Sequence, residues 1–177
     1  MIRFIIRLFL VSIFFLSMIA VSKNEEKIVK STLLSSVDKL STKKPNRIAI
    51  QLEIHEDWHI NANDPGDEYL FPSEITFDST HHIRVGEIEY PLAEEVNFSF
   101  AENPIFVYEG LIYAYSTITA SPEQAGKTIT LSGKVTYQAC NDAICLAPQS
   151  AEFSLEIAVA SNNEAANLIN KSIFINQ

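Results

Sequence analysis

From Arg47 onward the chain alternates in a regular way. Ile48, Ile50, Leu52 and Ile54 are interleaved with Ala49, Gln51, Glu53 and His55. Side chains two positions apart share a face of a strand, so this run predicts a strand with one buried face. Comparable runs follow at residues 75–77, 83–90, 105–108, 111–119, 128–139 and 153–159. Turn-forming residues separate them: Asp64-Pro65-Gly66, Pro91, Asn103-Pro104, Ser121-Pro122 and Gly126. Short strands punctuated by turns, with no central helix pattern, predict an all-β fold: an immunoglobulin-like antiparallel β-sandwich over residues 47–160.

The two ends read differently. Residues 1–22 carry Arg3 and Arg7, then an apolar run, then the small residues Ala20 and Ser22. That order is expected of a secretory signal peptide. The uninterrupted apolar run falls short of the ~20 residues of a membrane span, so a retained anchor is the lesser expectation. A periplasmic location follows. Residues 23–46 are polar and rich in Lys, Ser and Glu, which predicts a flexible lead-in with at most a helical turn around residues 33–40. Ser161-Asn162-Asn163-Glu164 has the form of a capping box, so residues 161–177 are expected to form a short C-terminal helical tail.

Charge narrows the function classes. The formal charge of -9 becomes -11 once Arg3 and Arg7 leave with the signal segment. So acidic a surface, with no cluster of basic and aromatic side chains, excludes nucleic acid as a partner. Nothing in the sequence calls for a cofactor or a small-molecule substrate.

Candidate chemistry lies in Cys140 and Cys145, the only two cysteines of the chain. In an exported protein they are expected to pair. A structural staple works mainly by shrinking the unfolded ensemble, and its effect grows with the closed loop. Six residues give roughly 2 kcal/mol against about 4.7 for a 100-residue loop. A local bridge is therefore a weak stabiliser, and redox activity is favoured over a staple. The strand through Val135 and Tyr137 delivers Cys140 to a strand end, and Asn141-Asp142 favours a turn that returns Cys145. A metal site would need two further ligands, and none of His55, His59, His81 and His82 has a close ligand spacing to the cysteines. His59, beside Trp58, is either a packed strand residue or a neighbour that tunes a thiolate.

The run Tyr137-Gln138-Ala139-Cys140-Asn141-Asp142-Ala143-Ile144-Cys145, followed by Pro148, resembles the active-site hairpin of the N-terminal domain of the thiol:disulfide interchange protein DsbD. Asp57-Trp58-His59-Ile60-Asn61-Ala62-Asn63 with Pro72, and Val107-Tyr108-Glu109-Gly110, resemble two further blocks of that family in the same order. Ala147 stands where the family commonly has a proline, and Asp57 where it has glycine.

The resemblance implies a sandwich domain that relays reducing equivalents through Cys140 and Cys145. Cys145 would face partners and Cys140 would resolve the intermediate. His59 and Tyr137 would be supporting residues. Asp142, or Glu94, Glu95 or Glu102, would accept protons. A loop at residues 94–104 would cap the cysteines through Phe98 or Phe100, whose alternation with Asn97 and Ser99 equally suits ordinary core positions. The implied partners are periplasmic thioredoxin-fold proteins and a separate membrane-embedded thiol transporter, the latter expected because no multi-span region or thioredoxin-like module follows residue 177. The rival from another class is a non-catalytic periplasmic binding module with a structural hairpin disulfide.

Overall fold

The computed structural model describes residues 27–78, 82–98, 103–161 and 164–175. The expected signal peptide, Phe100, Glu102 and His81 lie outside the described residues. Twelve strands run in the order β1 (Val29–Ser35), β2 (Lys39–Leu40), β3 (Asn46–Ile54), β4 (His59–Asn61), β5 (Glu74–Phe77), β6 (Ile83–Val85), β7 (Glu94–Val96), β8 (Ile105–Glu109), β9 (Leu111–Ala120), β10 (Thr128–Tyr137), β11 (Ala139–Cys140) and β12 (Gln149–Val159). They form three four-stranded sheets: β1-β3-β9-β6, β2-β12-β10-β5 and β11-β4-β8-β7. Every pairing is antiparallel except the short β2–β12 contact.

The alternation at β3 holds for most positions. On one face Gln51 and Glu53 are only partly buried, although the small Ala49 is buried as well. On the other, Ile48, Ile50, Leu52 and Ile54 are buried. They join one apolar cluster with Val29 and Leu33 of β1, Ile118 of β9, Leu131 and Val135 of β10, Phe153 and Ile157 of β12, and Ile60 of β4. All three sheets feed this core. Each such side chain contributes roughly 1.5–3 kcal/mol on burial. Close approach between strands makes its own demand at Gly133, where a Cβ would collide with the Thr76 carbonyl oxygen and the Phe153 ring.

The fold is the immunoglobulin-like sandwich expected, but three expectations need correction. The lead-in holds β1, a full strand paired along its length with β3 from Val29↔Ile54 to Ser35↔Ile48. Its Val29, Leu33 and Ser35 face inward, at a spacing that lysine and serine neighbours obscured. The run at residues 128–139 is two strands rather than one, because the chain changes sheets at Gln138: β10 pairs with β12 and β5, β11 with β4. Among its described residues the tail carries only a one-turn helix, α1 (Lys171–Phe174). Glu164 does bond back to the Ser161 backbone N–H at 3.2 Å, but its own N–H donates to the Ser161 carbonyl and closes a turn. The following residues instead lie along the segment between β1 and β2, with Asn167 bonded to Asp38 and the Ile169 N–H donating to the Ser36 carbonyl. Those backbone bonds outcompete an isolated helix of this length, which is marginal on its own.

Candidate functional site

The third sheet exists to present a hairpin. Cys140 ends β11, whose two residues pair with β4 as Ala139↔Ile60 and Cys140↔His59. The chain then turns. Asn141 Oδ1 accepts from the N–H groups of Ala143 and Ile144 at 2.9 and 3.0 Å, an Asx turn of the kind that Asn favours. The Asn141 N–H donates to the Ile144 carbonyl and the Leu146 N–H to the Ala139 carbonyl, which closes the ladder across Cys140↔Cys145. The two sulfurs are bonded, with Cα atoms 4.0 Å apart.

The two cysteines are not equivalent. Cys140 is only 2 % exposed, whereas Cys145 is exposed to solvent. One residue is backed by the sheet; the other stands at the surface. Ile144 beside it is 55 % exposed, an apolar side chain left in water next to the disulfide.

His59 lies across from Cys140 and is buried to 6 % exposure. Burial holds its imidazole pKa below the ordinary value, and the nearby negative charge of Asp142 opposes that less strongly. Phe98, two residues beyond β7, stacks its ring on His59 at a centroid distance of 4.8 Å. Phe98, one of the two residues expected to cap the cysteines, is half-buried and packs on His59. Glu94 and Glu95 lie on β7, paired with Val107 and Phe106. Tyr137 is a buried residue of β10; its hydroxyl donates to Gln149 at 3.3 Å, and burial raises its pKa.

Gln138 is the residue that sequence reasoning passed over. Its side-chain N–H donates to the Leu146 carbonyl at 3.0 Å, just after Cys145. Its side-chain oxygen accepts from the Asn61 amide at 3.1 Å and the Phe71 N–H at 3.3 Å. Gln138 therefore ties both ends of the cysteine loop to β4 and to the segment after it. The available signal was a polar residue set between the inward-facing Tyr137 and Ala139.

Beside the hairpin is a groove of about 440 Å³. Asn141, Asp142 and Ala143 form one wall, and Glu56, Asp57, Trp58, His59 and Glu109 the rest. Among the described residues, no group of three His, Cys, Asp or Glu side chains is placed to hold a metal ion. No described helix is long and apolar enough to cross a membrane.

No curated protein matches the chain. Among solved structures it is similar to the N-terminal periplasmic domain of ScsB from Proteus mirabilis, with 17 % identity and a TM-score of 0.48, over 80 % of this chain. It spans 49 % of that structure, about half its length. The model of the family described as thiol:disulfide interchange protein DsbD, N-terminal, matches residues 29–157, from the first strand to the last and through both cysteines. The chain belongs to the DsbD N-terminal family.

Proposed function

We propose that this domain is a periplasmic thiol–disulfide relay that passes reducing equivalents through Cys140 and Cys145 to partner proteins. The observation that carries the reading is the asymmetry of the pair: an exposed Cys145 bonded to a buried Cys140 on a short hairpin. Family membership supports it.

In the reduced domain, the Cys145 thiolate attacks one sulfur of a partner's disulfide. A mixed disulfide forms and one partner thiolate leaves. The Cys140 thiolate then attacks the Cys145 sulfur, which restores the internal bond and releases the second partner thiolate. Two electrons pass to the partner, a thioredoxin-fold protein. A membrane-embedded thiol transporter returns two electrons to the domain. A carboxylate such as Asp142 accepts the thiol proton. Phe98 on His59 restricts approach until a partner displaces it.

The test is trapping on reduced single-cysteine variants challenged with an oxidised thioredoxin-fold protein. Cys140→Ala should accumulate a mixed disulfide through Cys145, because the resolving thiol is gone; Cys145→Ala should trap far less. Equal trapping refutes the assignment of roles, and none by either variant refutes the relay. The reduction potential separates the relay from a binding module with a structural bridge. A relay lies near or above about -230 mV, a structural bridge below about -300 mV.

A further inference from the structure

The groove beside the hairpin has a chemistry that disulfide exchange does not use. Four carboxylates line it, from Glu56, Asp57, Glu109 and Asp142, and no Lys or Arg does. All four residues are exposed. Asp57 has His55 at 4.0 Å, and Asp142 lies within electrostatic reach of the His59 imidazole. Negative charge collected in a concave surface attracts cations more strongly than the same charge spread on a convex one.

Two further groups point to a ligand. His59 reaches the groove while 94 % buried, and neither of its ring nitrogens has a hydrogen-bond partner among the described residues. A buried polar group normally has one. A neutral imidazole offers one accepting nitrogen, which suits an N–H donor brought in by a guest. Trp58 is half-buried and adds an indole, the side chain best suited to binding a cation on its face.

On the reading of a relay, we propose that this groove is a recognition subsite for a cationic side chain, guanidinium or ammonium, that a partner carries beside its reactive cysteine. Asp142, two residues from Cys140 and three from Cys145, belongs to both the groove and the hairpin. A cation seated there is held next to the exposed sulfur, so recognition and in-line attack are satisfied in one docking pose. A groove of about 440 Å³ is at the low end of ligand clefts (roughly 300–1,000 Å³), which fits a single side chain and its hydration. The gain is in encounter rate and partner choice, as expected of charge complementarity around an interface.

The experiment measures oxidation of the reduced domain by disulfide-linked dimers of three blocked tripeptides: Arg-Cys-Arg, Gln-Cys-Gln and Glu-Cys-Glu. The Arg probe should react about tenfold faster than the Gln probe at low salt, with the ratio falling as salt is added. In Glu56→Gln/Asp57→Asn/Glu109→Gln the ratio should drop by about threefold or more, the size expected for losing partly screened surface pairs. Glu87→Gln/Glu152→Gln/Glu156→Gln removes the same charge from exposed positions on and beside the other two sheets, and should preserve the ratio. Glu56→Gln alone should move the ratio in the same direction, which keeps the test open if the triple variant folds poorly. A ratio that falls equally in both triple variants, or an Arg probe no faster than the Gln probe, overturns the subsite and leaves the relay standing. Failure of even the Gln probe to oxidise the reduced wild type overturns the relay and the subsite with it.

Discussion

Cys140 and Cys145 are five positions apart, yet their surroundings differ as much as core and surface do. Cys140 inherits burial from the β11–β4 pairing, whereas Cys145 follows a turn that carries it outward. Phe98 works at the same scale. Its ring stacks on the buried imidazole of His59. If Phe98 shields the pair, Phe98→Ala should speed reduction of the disulfide by a small thiol while barely changing stability. Thiol-reduction kinetics beside a denaturation curve would check this. A core phenylalanine would instead cost about 3–5 kcal/mol on truncation, and the half-exposed position of Phe98 argues against that outcome.

At the scale of elements, the hairpin is held from outside itself. The bonds of Gln138 to Leu146, Asn61 and Phe71 join the cysteine loop to β4 and the chain beyond it. Asn61 is only 1 % exposed, so it depends on partners it can reach. Gln138→Ala leaves the Leu146 carbonyl and the Phe71 N–H without these bonds, at an expected cost of about 1–3 kcal/mol. Hydrogen exchange should locate the effect. The Leu146 amide, bonded to the Ala139 carbonyl, should exchange faster, while amides of β3 and β9 should change only through global stability. β1 shows the opposite case, an element hidden by its composition. Val29 and Leu33 anchor it in the core, but polar residues between them weaken the period-two signal.

Whole-molecule stability carries the signature of His59. Burial lowers its pKa in the folded state, whereas an unfolded imidazole titrates near 6.5. Below about pH 6.5 the unfolded chain takes up a proton there that the folded chain does not, so protons bound favour the unfolded state and stability falls as pH falls. That contribution is fully present above the unfolded value and is lost progressively as pH drops through the window down to the depressed folded value. Denaturation of wild type and His59→Gln between pH 7.5 and 5 should show the wild type losing more stability. Parallel curves would mean that His59 does not titrate differently on folding.

How much of this was legible in the chain depends on the range of the forces involved. Strand positions such as β3, β9 and β12 follow from the alternation of apolar and polar residues, because that alternation is itself the condition for burying one face of a strand. The cysteine pair and its turn were also local, set by Asn141 and by two cysteines close enough to meet. Three features were not local. The change of sheet at Gln138 depends on β4 and β12 competing for the same chain. The unequal burial of the cysteines depends on which of them lies over the third sheet. The acidic groove gathers Glu56, Glu109 and Asp142 from a turn, a strand end and a hairpin far apart in sequence. Alternation sets which face of a strand is buried, but only packing between sheets decides which distant side chains share that surface.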